Sequence, residues 1–415
     1  MASTYLTRTP SSAGNRQKWT WSAWIKLGAL GTDRNLFGAY AHSADNFKIN
    51  IADTDQVSMR FYNNTEYQLG LNRKFRDTSA WYHLVFAVDT TLASGGDRFK
   101  IYVNGVRETS FAAANDPTQN LQMTINEATA TQIGRFNTGS YFDGSMSHIN
   151  FIDGTAYDAS YFGSTDATTG EWKINTSPSV TYGTNGFWIL KDGNTITDSS
   201  PNSNNFTLGG GTLTKTEDCP SNVFATLNAL AKPGAGNLPS FGNGNTHYNK
   251  TATGAGNNSM IVATLGATTG KFYYEYKMND SNAFIAGIST LDNTYYDANG
   301  GSMNTASGVG VAYQSSGNKI INGTSTTYGN SYGSGNIVGV AFDLVNNFIY
   351  FSKDGVWQNS GDPTSGSSGT GGIGIATTGI TYSPFAQNNG YNSPSSVYYN
   401  FGNGYFGTTA VASAG

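Results

Sequence analysis

Trp81 to Val106 reads WYHLVFAVDTTLASGGDRFKIYVNGV, and Gly335 to Trp357 reads GNIVGVAFDLVNNFIYFSKDGVW. The two stretches are one device used twice. In the first, LVFAVD and FKIYVNG alternate large apolar with smaller or polar residues, Asp89 closing one run and Asn104-Gly105 the other, which spells strand, loop, strand, turn. In the second, VGVAFDL ends near Asp343, Asn346-Asn347 supplies a tight turn that tolerates positive φ, and FIYFSKDG follows with Asp354-Gly355 as its turn. A lone hairpin is marginal in water, so each needs a whole sheet around it. The chain reads as all-β, two antiparallel β-sandwiches in series.

A length of 415 residues accommodates two or three domains. Composition fixes the class: 52 Gly, 25 Tyr, 23 Phe and 7 Trp against 12% charged residues describe short strands joined by Gly, Asn, Ser and Thr turns. The 13% of aromatic residues supply the apolar surface that disordered chains lack. A net charge of -4 with no Lys/Arg run argues against nucleic acid as a partner. Cys219 is the single cysteine, so stability rests on packing and hydrogen bonds rather than on a disulfide framework or a multi-cysteine metal site. The first thirty residues hold no continuous apolar region of the signal-peptide kind, and no segment reaches the apolar length needed to span a bilayer. The expectation is a chain made in a cytoplasm without membrane insertion, which reaches the outside of a cell only if a particle carries it.

Residues 1–163 form the first module. WTWSAWIKL places Trp19 and Trp21 on one strand face, and LFGAY, FKINIA, VSMRFYN and YQLGL follow at sandwich spacing. WTWSAWIK, WYHLVFAVD with KIYVNGV, and IGRF followed by FDGSMSHINFIDGTAYDASYF resemble the laminin-G or concanavalin-A-like lectin/glucanase jelly roll. Such folds host lectins, hydrolases and interaction domains alike. Residues 164–230 read as an irregular β-rich connection, and residues 231–245, AKPGAGNLPSFGNGN, as a linker in which Pro and Gly alternate with small polar residues. Within the connection, Asp198 to Thr207 and Asp218 to Asn228 resemble segments of structural proteins of tailed phages of marine bacteria. Residues 246–415 form the second module, where GKFYYEYKM, GVGVAY, VGVAFDL with IYFSKDGVW, and VYYNFG are similar in content and order to the SPRY sandwich. SPRY strands continue past the N-F-G motif, so the resemblance implies a longer chain or a last strand supplied by a neighbour.

A jelly-roll glucanase needs two carboxylates on alternate positions of one strand. Glu66, Glu108, Glu127, Glu171, Glu217 and Glu275 all lack another carboxylate two residues away, so the enzyme reading loses its geometry and no catalytic residue is expected. His83 lies between apolar neighbours in WYHLVF and reads as a packed residue, as do His148 in SMSHINF and Trp357. Asp53 and Asp55 form a D-x-D that could contribute oxygen ligands to Ca²⁺, with a solvated turn as the plainer reading. No other cofactor is expected. Tyr295, Tyr296 and Asp297 in TLDNTYYDANGG, with Tyr328, Tyr332 and Tyr391 in similar polar settings, offer flat amphipathic rings among adaptable hydrogen-bonding residues, the composition of a recognition surface.

The resemblances together imply a non-enzymatic virion protein: a fibre, spike or surface decoration of a phage, homo-oligomeric and often trimeric, contacting other virion proteins and a host cell-surface glycan or protein. The alternative is a carbohydrate-binding lectin, Ca²⁺-dependent if the D-x-D holds an ion.

Overall fold

The computed structural model describes residues 3–191, 193–230, 239–250, 259–280, 283–290, 310–321, 323–376, 380–388, 394–407 and 409–411. It divides into two compact units, Met1–Val223 and Phe224–Gly415. Each is built on a pair of large antiparallel sheets with one two-stranded sheet beside them, Gly163–Thr165 with Trp172–Ile174 in the first and Tyr405–Phe406 with Thr409–Ala410 in the second, and no α-helix occurs among the described residues.

In the first unit one sheet of eight described strands runs, edge to edge, Phe111–Asn115, Glu66–Lys74, Gln56–Asn63, Asp45–Ile51, Arg34–His42, Thr131–Ile133, Tyr5–Arg8 and Thr207–Gly210. The facing sheet of six runs Phe187–Ile189, Gly144–Asp153, Lys18–Leu27, Tyr82–Asp89, Phe99–Val103 and Val106–Arg107. The alternation read in WTWSAWIKL holds: Trp19 and Trp21 are fully buried between the sheets, Trp19 edge-on to Phe47 at 5.2 Å and Trp21 stacked on Phe37 at 5.8 Å. Aromatic pairs of this kind add to what burial alone contributes.

The two hairpins share a mechanism as well as a pattern. Asn104 and Asp354 both sit at positive φ, and each is followed by a positive-φ glycine, Gly105 or Gly355. The Asn104 Oδ1 accepts from the His83 amide at 2.8 Å, and the Asp354 Oδ1 accepts from the Ile337 amide, also at 2.8 Å. Each turn residue thus satisfies an amide at the start of the strand across from it, the second in Tyr82–Asp89 and the first in Ile337–Asp343, which locks the register. Asn347 takes positive φ as its turn position requires. The second unit builds on its hairpin a sheet running Ser240–Gly242, His247–Lys250, Ser395–Asn400, Lys271–Met278, Ile337–Asp343, Phe348–Lys353 and Val356–Trp357, with Ile373–Gly374 beside Phe348–Lys353. Facing it are Ser259–Val262, Tyr382–Asn388, Phe284–Thr290, Gly310–Gln314, Asn318–Ile321 and Thr324–Thr327.

The sequence boundaries differ from the structural ones. The segment after residue 163 is irregular and β-rich, but most of it completes the first sandwich: Phe187–Ile189 pairs with Gly144–Asp153, and Thr207–Gly210 pairs with Tyr5–Arg8. Sequence patterning undervalues strands of three or four residues, because their burial comes from neighbours far away in the chain. The run 218–228 straddles the division, Asp218 binding in the first unit and Leu227 lying fully buried in the core of the second. Of the expected linker, Ser240–Gly242 is a strand.

The Asp198–Thr207 motif is a fastening device. Asp198, 8% exposed, accepts from the Trp188 and Ser200 amides through Oδ1 at 2.8 Å each, and from the Ser200 hydroxyl and the Asn204 amide through Oδ2 at 2.7 Å each. Asn204 donates to the Thr184 and Gly186 carbonyls, and Asn205 accepts from the Asp198 amide. Removing a buried acceptor leaves several donors unpaired. Asp198→Ala is therefore expected to lower the unfolding free energy of the first unit by on the order of 3 kcal/mol, read by denaturant unfolding of the full chain. An unchanged midpoint contradicts the fastening role.

Candidate functional site

The two outer faces of the first sandwich have different fates. Outside the sheet of six, Thr20, Ser22, Trp24 and Lys26 alternate with the core residues and are all buried, because residues 154–190 and Asp218 form a roof over them. Asp218 joins Lys26 in an ion pair of 2.7 Å and accepts from the Trp81 indole at 3.0 Å. His83 lies inside this roof, stacked on Trp24 at 4.9 Å and on Trp172 at 6.0 Å. The Trp172 indole N–H donates to His83 Nδ1 at 3.0 Å, so the ring proton sits on Nε2 and is donated to Ser22 Oγ at 2.9 Å. Gly105 makes room for this, since a Cβ there would come within 2.4 Å of the Trp172 ring. His83 is thus a packed residue, as read from the sequence. His148, at positive φ in a bulge opposite Lys18–Leu27, is half-buried beside Trp188.

Outside the sheet of eight the cover among the described residues is partial: Arg135, Phe136 and Ser140 lie over one end of the face, where Asn35, Asn50, Ser58 and Gly70 are buried, and the other end is part-exposed. In Asp45–Ile51, Phe47, Ile49 and Ile51 are fully buried and Asn46, Lys48 and Asn50 face away from them. In Gln56–Asn63, Val57, Met59 and Phe61 point inward and Ser58, Arg60 and Tyr62 outward. Strand register aligns these outward residues in rows across four strands: Asn35, Asn50, Ser58, Gly70; then Gly38, Lys48, Arg60, Gln68; then Tyr40, Asn46, Tyr62, Glu66. Four strands place this array over about 14 Å.

The polar groups of the array hold one another. Asp33 accepts from Asn50 Nδ2 at 2.5 Å and from the Ser140 hydroxyl at 2.8 Å, and lies 3.5 Å from Lys48 Nζ. Asn50 Oδ1 accepts from Ser58 Oγ at 2.7 Å, and Arg60 Nε donates to Glu66 at 2.7 Å. Phe136 lies over Gly38, edge-on to Tyr40 at 5.6 Å and under the Lys48 ammonium at 5.6 Å, while Tyr62 is 38% exposed. The face is charge-balanced, rich in donors and acceptors, and bordered by aromatic rings. Those are the contacts that a polyhydroxylated ligand uses.

The sequence-predicted site residues fare differently. Tyr295, Tyr296, Asp297 and Tyr391 lie outside the described residues. Tyr328 and Tyr332 are not at the surface: they are 8% and 5% exposed, in the core of the second unit. Tyr332 accepts from the Tyr276 hydroxyl at 2.8 Å and donates to the Tyr313 carbonyl at 2.9 Å, and burial drives its ionisation far above the ordinary range. The polar neighbours that suggested exposure are turn residues, whereas the rings turn inward. Asp53 is exposed, and Asp55, 5% exposed, spends its oxygens on the Gly31 amide and on Arg76. No group of three or more His, Cys, Asp or Glu among the described residues is placed to hold a metal ion, so the D-x-D does not develop into a site there. The part-exposed face went unnoticed in the sequence, although Asn46 and Lys48 flanking Phe47, and Arg60 and Tyr62 flanking Phe61, announce a strand face turned away from the core.

Residues 2–160 match the family model of the concanavalin A-like lectin/glucanases superfamily, and residues 271–372 match that of the SPRY domain. The chain carries one domain of each type. The matches support a binding or carbohydrate-recognition role in general terms; they do not extend to a virion. No curated protein matches the chain. Similar solved structures include the SPRY domain of human HERC1, 17% identical over 38% of this chain and 89% of that one, with a TM-score of 0.30. Domain 4 of AbnA, a GH43 extracellular arabinanase from Geobacillus stearothermophilus in complex with arabinotriose, is 18% identical over 34% and 64% of the two chains, with a TM-score of 0.28. A heptameric SAP-like pentraxin from Limulus polyphemus is 14% identical over 38% and 72%, also with a TM-score of 0.28.

His83 gives the roof a pH signature. Burial, reinforced by the nearby His148, pulls its pKa from 6.5 to about 3. The unfolded chain takes up a proton near pH 6.5 that the folded chain refuses, so stability present above that pH is lost as pH falls below it. Between pH 6.5 and about pH 5 the unfolding free energy of the first unit is expected to fall by about 2 kcal/mol, and His83→Gln is expected to flatten the slope. An equal slope in the variant contradicts the assignment.

Proposed function

We propose that the chain is a non-enzymatic glycan-binding protein borne on a virion, and that the outer face of the sheet of eight in its first sandwich receives the sugar. The observation that carries the binding site is the register of two part-exposed rows on the outer face of that sheet, Lys48, Arg60, Gln68 and Tyr40, Asn46, Tyr62, Glu66, with Phe136 at their border. A sugar presents hydroxyls that both donate and accept, together with an apolar ring face, and the array answers both. The carboxylates on the face support binding over hydrolysis, because Asp33 and Glu66 are tied to Lys48, Asn50, Ser140 and Arg60 rather than left as an acid and nucleophile pair. Neither carboxylate nor Asp55 is free for Ca²⁺, which favours sugar binding without a metal. The virion assignment rests on the likeness of Asp198–Thr207 and Asp218–Asn228 to phage structural segments. With it go the other expectations: a homo-oligomer, trimeric by that likeness, attached to other virion proteins and facing a host-surface glycan.

A glycan array probed with the full chain tests the reading. Specific hits are expected, unchanged by a chelator, and Arg60→Ala is expected to weaken a set of them about tenfold. Absence of any hit, or hits indifferent to Arg60→Ala, contradicts the proposed site. Antibody-labelled electron microscopy of particles addresses the virion part: repeated projections are expected, and a protein found only free contradicts it.

A further inference from the structure

The second unit has an outward sheet face of its own, and it is built around a carboxylate. In Lys271–Met278 the core takes Tyr274, Tyr276 and Met278, and strand alternation turns Tyr273, Glu275 and Lys277 outward. Glu275 is half-buried and accepts from the Tyr273 hydroxyl at 2.8 Å and from Asn400 Nδ2 at 3.3 Å. Register sets Asn400 directly opposite Glu275 and Tyr398 directly opposite Lys277. On the other side Gly339 stands opposite Glu275, and the Tyr273 ring leans across it: a Cβ at Gly339 would lie 2.6 Å from the Tyr273 hydroxyl oxygen. The glycine is therefore what permits Tyr273 to lie along the sheet and reach the carboxylate.

Two polar groups of this array, the Lys277 ammonium and the Tyr398 hydroxyl, have no partner among the described residues, and Glu275 is held by two neutral donors only. Two residues along one strand separate Glu275 from Lys277 by about 7 Å, too far for a direct pair and suited to a ring between them. Tyr273 is 44% exposed, and Tyr398 is stacked on His247 at 4.2 Å, so flat rings flank the polar groups.

From this placement we infer that the second unit holds a separate binding site for a neutral pyranose, with Glu275 accepting from ring hydroxyls, Lys277 and Tyr398 donating to ring oxygens, and Tyr273 offering an apolar platform. The charge balance selects the occupant. A sulfated or carboxylated sugar that gains from Lys277 is repelled by Glu275, and a cationic ligand meets the opposite conflict. An extended peptide binds a sheet through its edge, where backbone groups are unpaired, and this face lies within a sheet, with strands on both sides of Lys271–Met278.

The inference is independent of the face in the first sandwich, and one array separates them. The full chain, Glu275→Gln, Lys277→Met, Gly339→Ala and Arg60→Ala are compared on a panel of neutral and acidic glycans. A set of neutral-glycan signals is expected to drop at least about tenfold in Glu275→Gln and Lys277→Met, to drop also in Gly339→Ala, and to persist in Arg60→Ala. All four substitutions lie on sheet exteriors, and matching thermal unfolding midpoints for the Glu275 and Lys277 variants confirm that binding alone is read. Neutral-glycan signals unchanged in both of those variants overturn the second site, as does loss of every signal in Arg60→Ala, which leaves the first face standing. Loss of every signal in Glu275→Gln with none lost in Arg60→Ala supports the second site and removes the first.

Discussion

The period of two along each strand is the constraint on which the rest depends. Burying Phe47, Ile49 and Ile51 obliges Asn46, Lys48 and Asn50 to face the other way, and burying Tyr274, Tyr276 and Met278 does the same for Tyr273, Glu275 and Lys277. A slip of one residue would exchange core and surface along the whole strand. The chemistry of each outer face is therefore inherited from the packing of the core beneath it. With no α-helix among the described residues, and one half-buried free cysteine, aromatic packing between sheets and the hydrogen bonds of turns carry the stability.

What then distinguishes one outer face from another is the chain that covers it. In the first unit the segment beyond residue 153 folds back over the sheet of six, sandwiching His83 between Trp24 and Trp172 and sealing Lys26 with Asp218. Asp198 pins the same segment at its far end, through four hydrogen bonds to backbone and side chain. Polar residues that look available in the sequence are consumed there as structure. On the sheet of eight the returning residues Arg135, Phe136 and Ser140 cover one end, and Lys48, Arg60, Gln68, Asn46 and Tyr62 stay part-exposed at the other.

The sequence was most legible where patterns are local. The two hairpins, their Asn-Gly and Asp-Gly turns, the inward face of Trp19 and Trp21 and the packed state of His83 all follow from alternation and turn chemistry within a few residues. It was least legible where burial is decided at long range. Tyr328 and Tyr332 stand among Ser, Gly and Asn, yet Tyr313, Phe351 and Tyr276 from distant strands close over them. Phe187–Ile189 and Thr207–Gly210 are too short to read as strands without the edges they complete. The outer face of the first unit was present as alternation in FKINI and VSMRFYN, but which of its residues stay exposed depends on Arg135, Phe136 and Ser140, which pack on it from far along the chain.

The central claim is that sheet faces, and not turn-borne tyrosines, receive the sugar. Crystals of the full chain soaked with a neutral oligosaccharide test it most directly. Density for sugar rings lying across Lys48, Arg60 and Asn46 agrees with the account. Sugar seated only on loops between strands, with both sheet faces empty, contradicts it.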